Sequence, residues 1–205
     1  MTSCLADLAL RFPPTGQLAR DVDTLLAAHG RERTREHVPR VAAQARELAV
    51  RFSVDPDRAE RAALLHDLGG IFERAEMVAL CLSLGLPVEL EERQVPMLLH
   101  AKLSEVLARD LYGVSDVGVL QAVRFHTTLH GAPTPLDEVV FLADKLEWDQ
   151  GDVPPYHAGL SRTLEDGLAV GTRWMLGWMA TPQARLLIAH PDLRAAWRHY
   201  GVTAP

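Results

Sequence analysis

Residues 55–70 read DPDRAERAALLHDLGG, and this stretch decides the fold because it marks out a helix from its first residue to its last. Asp55 is a good N-cap, and Pro56 suits the first helical position. The inward-facing positions follow helical spacing and are Ala59, Ala62, Ala63 and His66. A glycine pair at 69–70 ends or bends the helix. The stretch therefore predicts an amphipathic helix with a histidine on its buried face.

Helical periodicity continues through the rest of the chain, whereas strand and hairpin patterns are nearly absent. Pro39 is expected in the first turn of its helix, where proline is tolerated. Helices are predicted at about residues 17–28, 36–52, 55–66, 73–84, 96–112, 116–126, 136–148 and 158–179, with a shorter pair broken near 191. The predicted fold class is all-α. A single domain would span 1–205, with its core at about 17–150 and a C-terminal helical extension at about 156–200, beyond a loop at 151–155.

The bulk composition narrows the class of protein. The chain has 205 residues, 48% of them hydrophobic, and a formal net charge of -6, so it can bury a core but is a poor polyanion binder. We therefore expect no nucleic-acid partner. The N-terminus lacks a basic region before its apolar residues, and no apolar run reaches about 18 residues, which predicts a cytoplasmic protein without a membrane partner. Cys4 and Cys81 are far apart and predict no disulfide framework.

Polar residues interrupt the predicted buried faces on several helices, and they are His37, His66, His100, His126 and Asp144. Asp67 directly follows one of these histidines and precedes the glycine pair. Burying an isolated imidazole or carboxylate is costly unless the group is paired or bound to a metal. A shared cation would compensate the two carboxylates and accept lone pairs from neutral imidazoles. The sequence therefore predicts a metal site made by these side chains.

Structural roles remain open for the same residues. His37 could be a core histidine with a hydrogen-bond partner, and Asp144 could be a surface carboxylate paired with Lys145 or Arg124. His130 is the main rival to His126, which we prefer because it shares a stripe with two valines. The remaining histidines are expected mostly at the surface, and with the rival they are His29, His130, His157, His190 and His199. The tryptophans of the extension are expected to pack it onto the core, and they are Trp174, Trp178 and Trp197.

The order His…His-Asp…Asp on separate helices resembles the HD superfamily of metal-dependent phosphohydrolases, over about residues 36–148. The matching elements are His37, the sequence LLHDLGG at 64–70 and the sequence FLADKLE at 141–147. Two further histidines, in LLHAK at 98–102 and VRFHTT at 123–128, resemble the additional ligands of the binuclear branch. Within that branch the chain is most similar to the YqeK-like symmetrical diadenosine tetraphosphate hydrolases.

The resemblance implies an HD-domain helical bundle with two transition-metal ions, divalent or mixed-valence, which in this family are typically iron. Imidazole and carboxylate ligands also suit Mn, Ni, Co or Zn. The implied activity is that of a symmetrical bis(5'-nucleosyl)-tetraphosphatase, with metal-bound hydroxide attacking a nucleotide phosphoanhydride or phosphate ester. His66 and Asp67 would be catalytic, and the aspartate would bridge the two ions. A homodimer is left open.

The chain departs from the family pattern at two positively charged positions. Gly70 stands where a lysine is common, and Gln150 stands where an arginine is common. We therefore expect other residues to contact the phosphates, with Thr127, Arg124 and Lys145 first and Lys102 and Arg40 as further candidates. The loss of these charges leaves two alternatives open, a nucleoside monophosphate phosphatase of the same superfamily and a non-catalytic metal- or nucleotide-binding module.

Overall fold

The structure is a computed structural model that describes residues 3–148 and 153–203, with side chains from residue 5 onward. Within these ranges the regular elements are all helical, as predicted. The α-helices are α1 Ser3–Arg11, α2 Leu18–Ala28, α3 Glu32–Arg51, α4 Pro56–Leu65, α5 Arg74–Ser83, α6 Leu90–Gln94, α7 His100–Asp110, α8 Val117–Phe125, α9 Pro135–Leu146, α10 His157–Thr163, α11 Leu168–Met179 and α12 Pro191–His199. Short 3₁₀ turns lie at Leu68–Ile71, Pro96–Leu99 and Pro182–Ala184. None of the described helices is long and apolar enough to cross a bilayer.

The centre of the bundle is formed by α3, α4 and α9, and α8 packs against both α4 and α9. Small side chains are buried between these helices, since Ala45 on α3 and Ala59, Ala62 and Ala63 on α4 are all fully buried. Without bulky side chains between them the helix backbones approach closely. This brings the polar residues on the inner faces of different helices to one place.

Helix α4 begins and ends as its sequence predicts. The carboxylate of Asp55 accepts hydrogen bonds from the backbone N–H groups of Asp57 and Arg58, which satisfies two of the donors that a helix start leaves free. Asp116 caps α8 in the same way through the N–H groups of Gly118 and Val119. These caps fix where α4 and α8 begin, and therefore where the histidines that follow their last turns point.

The prediction that Pro39 lies in the first turn of its helix is wrong. Helix α3 already begins at Glu32, and Pro39 lies inside it. Long-range contacts hold the turns before the proline: Arg31 donates to the backbone oxygen of Ile71 at 3.1 Å, and Arg35 pairs with Asp23 at 2.8 Å. These contacts offset the hydrogen bond that proline cannot donate.

The predicted long helix at 158–179 is also wrong, since the structure divides it into α10 and α11. Gly167, immediately before α11, has a φ of 138°, which L side chains rarely adopt. The two helices fold back on each other so closely that a Cβ on Gly159 would lie 2.2 Å from the ring of Trp174. Trp197 is buried and donates its indole N–H to the Leu176 oxygen at 2.9 Å, so the tryptophans pack the extension as predicted.

Some elements carry no clear sequence signal. Helices α1 and α6 were not predicted, and the helix predicted at 96–112 begins as a 3₁₀ turn, so that His100 is the first residue of α7. The extension reaches the bundle through α11, which packs against α9. The Tyr200 hydroxyl adds a hydrogen bond to Glu138 on α9. Gln150, where the family commonly has arginine, lies outside the described residues, as do 151 and 152.

Candidate metal centre

The structure brings together the six residues predicted to bind metal. His37 lies on α3 and Asp144 on α9, and His37 Nε2 is 3.2 Å from Asp144 Oδ1. His66 follows the last turn of α4, with its Nε2 atom 3.6 Å from the same oxygen and 3.6 Å from Asp67 Oδ2. These side chains form one half of the centre. Its histidines are buried, and its carboxylates are partly exposed.

The other half is built by His100 at the start of α7 and His126 just after α8. Their Nε2 atoms are 3.0 Å apart. Asp67 Oδ1 lies 3.2 Å from His100 Nε2 and 3.6 Å from His126 Nε2. The hydroxyl oxygen of Thr127 is 3.0 Å from His126 Nε2 and 3.4 Å from His100 Nε2. Asp67 is therefore common to both halves, with one carboxylate oxygen toward each.

Backbone carbonyls fix the orientation of three of these imidazole rings. The Nδ1–H groups donate to carbonyls three residues earlier: His66 to Ala63 at 2.6 Å, His100 to Met97 at 2.6 Å and His126 to Val123 at 2.8 Å. A carbonyl oxygen can only accept, so the proton of each neutral ring is on Nδ1. The Nε2 lone pairs therefore point into the centre, as metal-binding histidines require.

The donor set fits metal ions. His66 Nε2 is fully buried and has no hydrogen-bond partner among the described residues. The Nε2 lone pairs of His100 and His126 face each other at 3.0 Å, which is repulsive unless a cation lies between them. Two ligand atoms bonded to one metal at about 2.1 Å and at right angles lie about 3.0 Å apart. Two groups could hold an ion, namely His37, His66 and Asp67, and Asp67, His100 and His126.

Charges within the cluster shift the protonation of the metal-free chain. Burial lowers the pKa of His66, but the carboxylates of Asp67 and Asp144 outweigh burial and raise it to about 9. Burial would raise the pKa values of Asp67 and Asp144, but neighbouring cations hold both well below the ordinary range. The histidines do so for Asp67, and Lys145, ahead of His37 and His66, does so for Asp144. Burial lowers the pKa of His126 to about 4. At neutral pH the first half therefore holds a proton that a metal must displace.

Metal affinity should rise with pH because of His66. Metal binding requires neutral imidazole, and His66 keeps its proton until the pH approaches its pKa of about 9. Between pH 6.5 and 8.5 we expect the apparent affinity of one ion to increase by up to about tenfold per pH unit, the slope for release of one proton. Titration with Mn(II) in a chelator buffer measures this slope. An affinity that is constant over this range would contradict the assignment.

The glycine pair after Asp67 has a role that the sequence did not reveal. The 3₁₀ turn Leu68–Ile71 lies against α7, where Gly69 N–H donates to Ser104 Oγ at 2.8 Å. A Cβ on Gly69 would lie 2.1 Å from the backbone oxygen of His100 and 2.9 Å from Leu103 Cβ. The missing side chain allows the close approach that places Asp67 beside His100. A Cβ on Gly70 would meet nothing within 4 Å.

Replacing Gly69 with alanine should therefore separate the turn from α7. We expect Gly69→Ala to lower the free energy of unfolding by about 1–3 kcal/mol, the usual cost of overpacking, and to weaken metal binding at His100. Gly70→Ala is the matched control and should change stability by less than about 1 kcal/mol. Urea denaturation of both variants tests the difference. Equal stabilities would show that the close contact relaxes without cost.

The predicted phosphate contacts have different surroundings. Lys145 Nζ lies 2.6 Å from Asp144 Oδ2 at the edge of the cluster, while Arg124 is mostly buried and has Glu105 at 3.8 Å. Lys102 is not available, because it is buried in a 2.6 Å ion pair with Glu92. Arg40 is engaged differently, by Glu147 at 3.1 Å and the Glu36 backbone oxygen at 2.9 Å.

Two histidines outside the cluster lie beside carboxylates of other elements. His130 Nε2 lies 3.3 Å from Asp137 Oδ2, so this rival to His126 is engaged with the start of α9. The expectation that His190 lies at the surface is wrong, since it is 4% exposed and faces Glu92. Its burial depends on α6, a helix that the sequence pattern did not predict.

Comparison with known proteins gives the family. The HD domain model matches residues 34–149. An uncharacterized Lactococcus lactis protein encoded in the pepC 5' region is 37% identical over 135 residues, 66% of this chain and 68% of the relative. The symmetrical bis(5'-nucleosyl)-tetraphosphatase of Bacillus subtilis is 34% identical over 111 residues, which cover 54% of this chain and 59% of that enzyme. The enzyme of the same name from Halalkalibacterium halodurans is 32% identical over 127 residues, which cover 60% of this chain and 65% of that enzyme.

A solved structure from Clostridium acetobutylicum, described as a predicted HD superfamily hydrolase involved in NAD metabolism, has the same fold. It aligns with a TM-score of 0.77 at 22% identity and covers 88% of this chain and 95% of its own. The chain matches less than two thirds of the length of either tetraphosphatase. The HD model nevertheless spans more than half of the chain, including the six clustered residues. The protein therefore belongs to the HD domain family and is a hydrolase.

Proposed function

We propose that this hydrolase cleaves bis(5'-nucleosyl) tetraphosphates symmetrically, at a binuclear metal centre formed by His37, His66, Asp67, His100, His126 and Asp144. The observation that carries the proposal is the position of Asp67 between two histidine groups, with Oδ2 3.6 Å from His66 and Oδ1 3.2 Å from His100. A carboxylate in this position can join two ions, which is the arrangement that two-metal phosphoryl transfer uses. The names of the Bacillus and Halalkalibacterium relatives support the substrate.

When bound, the two transition-metal ions, iron in our proposal, with Mn, Ni, Co or Zn as alternatives, supply Lewis acidity to the scissile phosphoryl group and to the attacking water. The chain's own residues prepare this centre. The carbonyls of Ala63, Met97 and Val123 hold three imidazole rings so that Nε2 points inward. A centre that is rigid before substrate arrives loses little free energy to reorganisation during the reaction.

The reaction adds water across the central phosphoanhydride. The water oxygen bonds to one of the two central phosphorus atoms, and the bridging P–O bond between them breaks. The water protons pass to the leaving phosphate and to solvent, so the products are two nucleoside diphosphates. No protein nucleophile is needed, which agrees with the absence of recognised Ser, Cys or P-loop motifs from the sequence.

Lys145 is the proposed cation for the substrate's phosphates. Its ammonium group lies 5.1 Å from the ring centre of Phe141 as well as beside Asp144, so it is held at the edge of the cluster. A phosphate oxygen close to Asp144 is within reach of the same ammonium. Thr127, with its hydroxyl beside His100 and His126, is the proposed hydroxyl contact on the other half.

Arg124 is the proposed second cation. Burial lowers the pKa of its guanidinium, and its nearest carboxylate, Glu105, is 3.8 Å away, beyond hydrogen-bond distance. A buried guanidinium with so weak a partner gains from an anion that it can hydrogen-bond. Lys145 and Arg124 would thus supply the charge that Gly70 does not.

The test is product analysis with the metal-loaded protein. Diadenosine tetraphosphate, Fe(II) or Mn(II) and water enriched in ¹⁸O should give ADP alone, with one labelled oxygen for each pair of ADP molecules. ATP together with AMP would overturn symmetrical cleavage. Faster phosphate release from AMP than from the dinucleotide would favour a nucleoside monophosphate phosphatase. Tight metal and nucleotide binding without any turnover would favour a non-catalytic module.

The homodimer and the cytoplasmic location stay predictions.

A further inference from the structure

A small, partly open cavity lies beside the His100 and His126 half of the centre, and Arg124 is among the residues that line it. Its wall includes Lys102, two residues after His100, and Thr127, the residue after His126. The opposite wall is formed by Glu92 of α6 and by His190 and Asp192 at the start of α12. The C-terminal extension therefore reaches the residues next to His100 and His126, although it lies beyond the residues that match the HD family.

Buried charges connect these walls. Lys102 Nζ lies 2.6 Å from Glu92 Oε2 and donates to the backbone oxygen of Pro87 at 2.7 Å. The exposed fractions of Lys102 and Glu92 are only 3% and 1%. Breaking such a pair leaves a buried charge without a partner, so the first turn of α7 is held strongly in place. The same turn begins with His100.

His190 completes the cluster from α12. Its Nδ1 accepts the backbone N–H of Asp192 at 3.2 Å, which caps the helix and places the ring proton on Nε2. That nitrogen lies 3.3 Å from Glu92 Oε1, the carboxylate oxygen that Lys102 does not use. His190 is itself 4% exposed. The ring thus packs the extension against the ion pair that holds α7, with Nε2 within ion-pair distance of Glu92 but in no aligned hydrogen bond.

We propose that His190 is a positioning residue for the metal centre, acting through Glu92 and Lys102 on His100. Its removal should weaken the binding of the ion held by His100 and His126 and leave the binding of the ion held by His37 and Asp144 unchanged. The selectivity follows from the fold, because His37 and Asp144 lie on α3 and α9 and not on α7. The extension contacts α9 at a different point, through the hydrogen bond between Tyr200 and Glu138. This inference rests on the proposed two-metal centre and not on the proposed substrate.

The experiment compares His190→Asn and His190→Gln with wild type by counting bound Mn(II) at fixed free concentrations. Asparagine keeps the helix cap but is too short to reach Glu92, whereas glutamine can span the distance. We expect His190→Asn to bind one ion as tightly as wild type and the other at least about tenfold more weakly. The electron paramagnetic resonance signal of coupled Mn pairs should be lost when the second ion is lost. His190→Gln should restore both the second ion and this signal.

Tyr200→Phe is the matched control, since it removes a different polar contact between the extension and the core, the hydrogen bond to Glu138, and it should keep two ions. If His190→Asn does not fold, Glu92→Gln combined with Lys102→Met replaces it, because this pair loses both charges together. Two ions with wild-type affinity in folded His190→Asn, or in the double variant that replaces it, would overturn the inference, and so would equal weakening of the binding of both ions. Wild-type protein that binds fewer than two ions would instead overturn the proposed centre.

Discussion

Replacing Asp67 with alanine is expected to lower kcat/KM by about a thousandfold or more while the helical content stays close to that of wild type. Asp67 is common to both halves of the centre, with its two oxygens 3.2 Å from His100 and 3.6 Å from His66. Without it, each half loses the carboxylate that the two proposed ions would share. Bound metal should fall together with activity, which elemental analysis and circular dichroism of the same sample measure.

The control for this variant is Asp110→Ala. The Asp110 side chain is 30% exposed and that of Asp67 is 24% exposed, and Asp110 also pairs with a neighbouring cation, Arg109 at 2.7 Å. Asp110 is the last residue of α7, at the opposite end of the helix from His100. Its replacement should leave activity and bound metal unchanged. Normal hydrolysis by Asp67→Ala would show that the centre is assigned to the wrong residues.

Loss of either His100 or His126 is expected to reduce bound metal from about two ions per chain toward one. Each supplies an Nε2 lone pair to the half that Asp67 Oδ1 faces, and their separation of 3.0 Å fits two ligands of one ion. The other half keeps His37, His66 and Asp144, so one ion should remain. Metal content measured after dialysis against a fixed free concentration tests this for His100→Ala and His126→Ala separately.

His29→Ala is the control for both variants. His29 is a partly buried histidine whose Nδ1 also donates to a backbone carbonyl, that of Leu25 at 2.8 Å, but it packs against Phe12 and lies outside the cluster. Its loss should leave two ions bound. If His100→Ala and His126→Ala also kept two, these histidines would have a structural role only and would not belong to the proposed ligands.

Several features could be predicted because the signal lies within one helix or one turn. The cap at Asp55, the helical spacing and the histidine at the end of α4 are local in sequence, and the structure has them as predicted. The cluster was predictable for a related reason. A polar side chain on a buried face needs a partner, and six such residues on or next to five different helices have one shared solution in a cation.

Other features depend on which helices pack together, and no local pattern carries that information. Gly69 reads as a helix terminator, yet its missing side chain matters because α7, distant in sequence, lies 2.1 Å from where a Cβ would be. His190 reads as a surface residue near a helix end, yet Glu92 and Lys102 bury it. Pro39 lies inside α3 because Arg31 and Arg35 hold the preceding turns from neighbouring elements.

The amino-acid sequence by itself determined the helical class, the positions of the helix starts at Asp55 and Asp116, and the polar side chains on buried faces for which we propose a shared cation. These follow from hydrogen bonds and periodicity within a few residues. Only the tertiary structure decided that Asp67 faces two groups of histidines, that Gly69 must lack a side chain, and that the C-terminal extension supports His100. Such contacts join residues distant in the chain, and their energies arise only when the helices pack together.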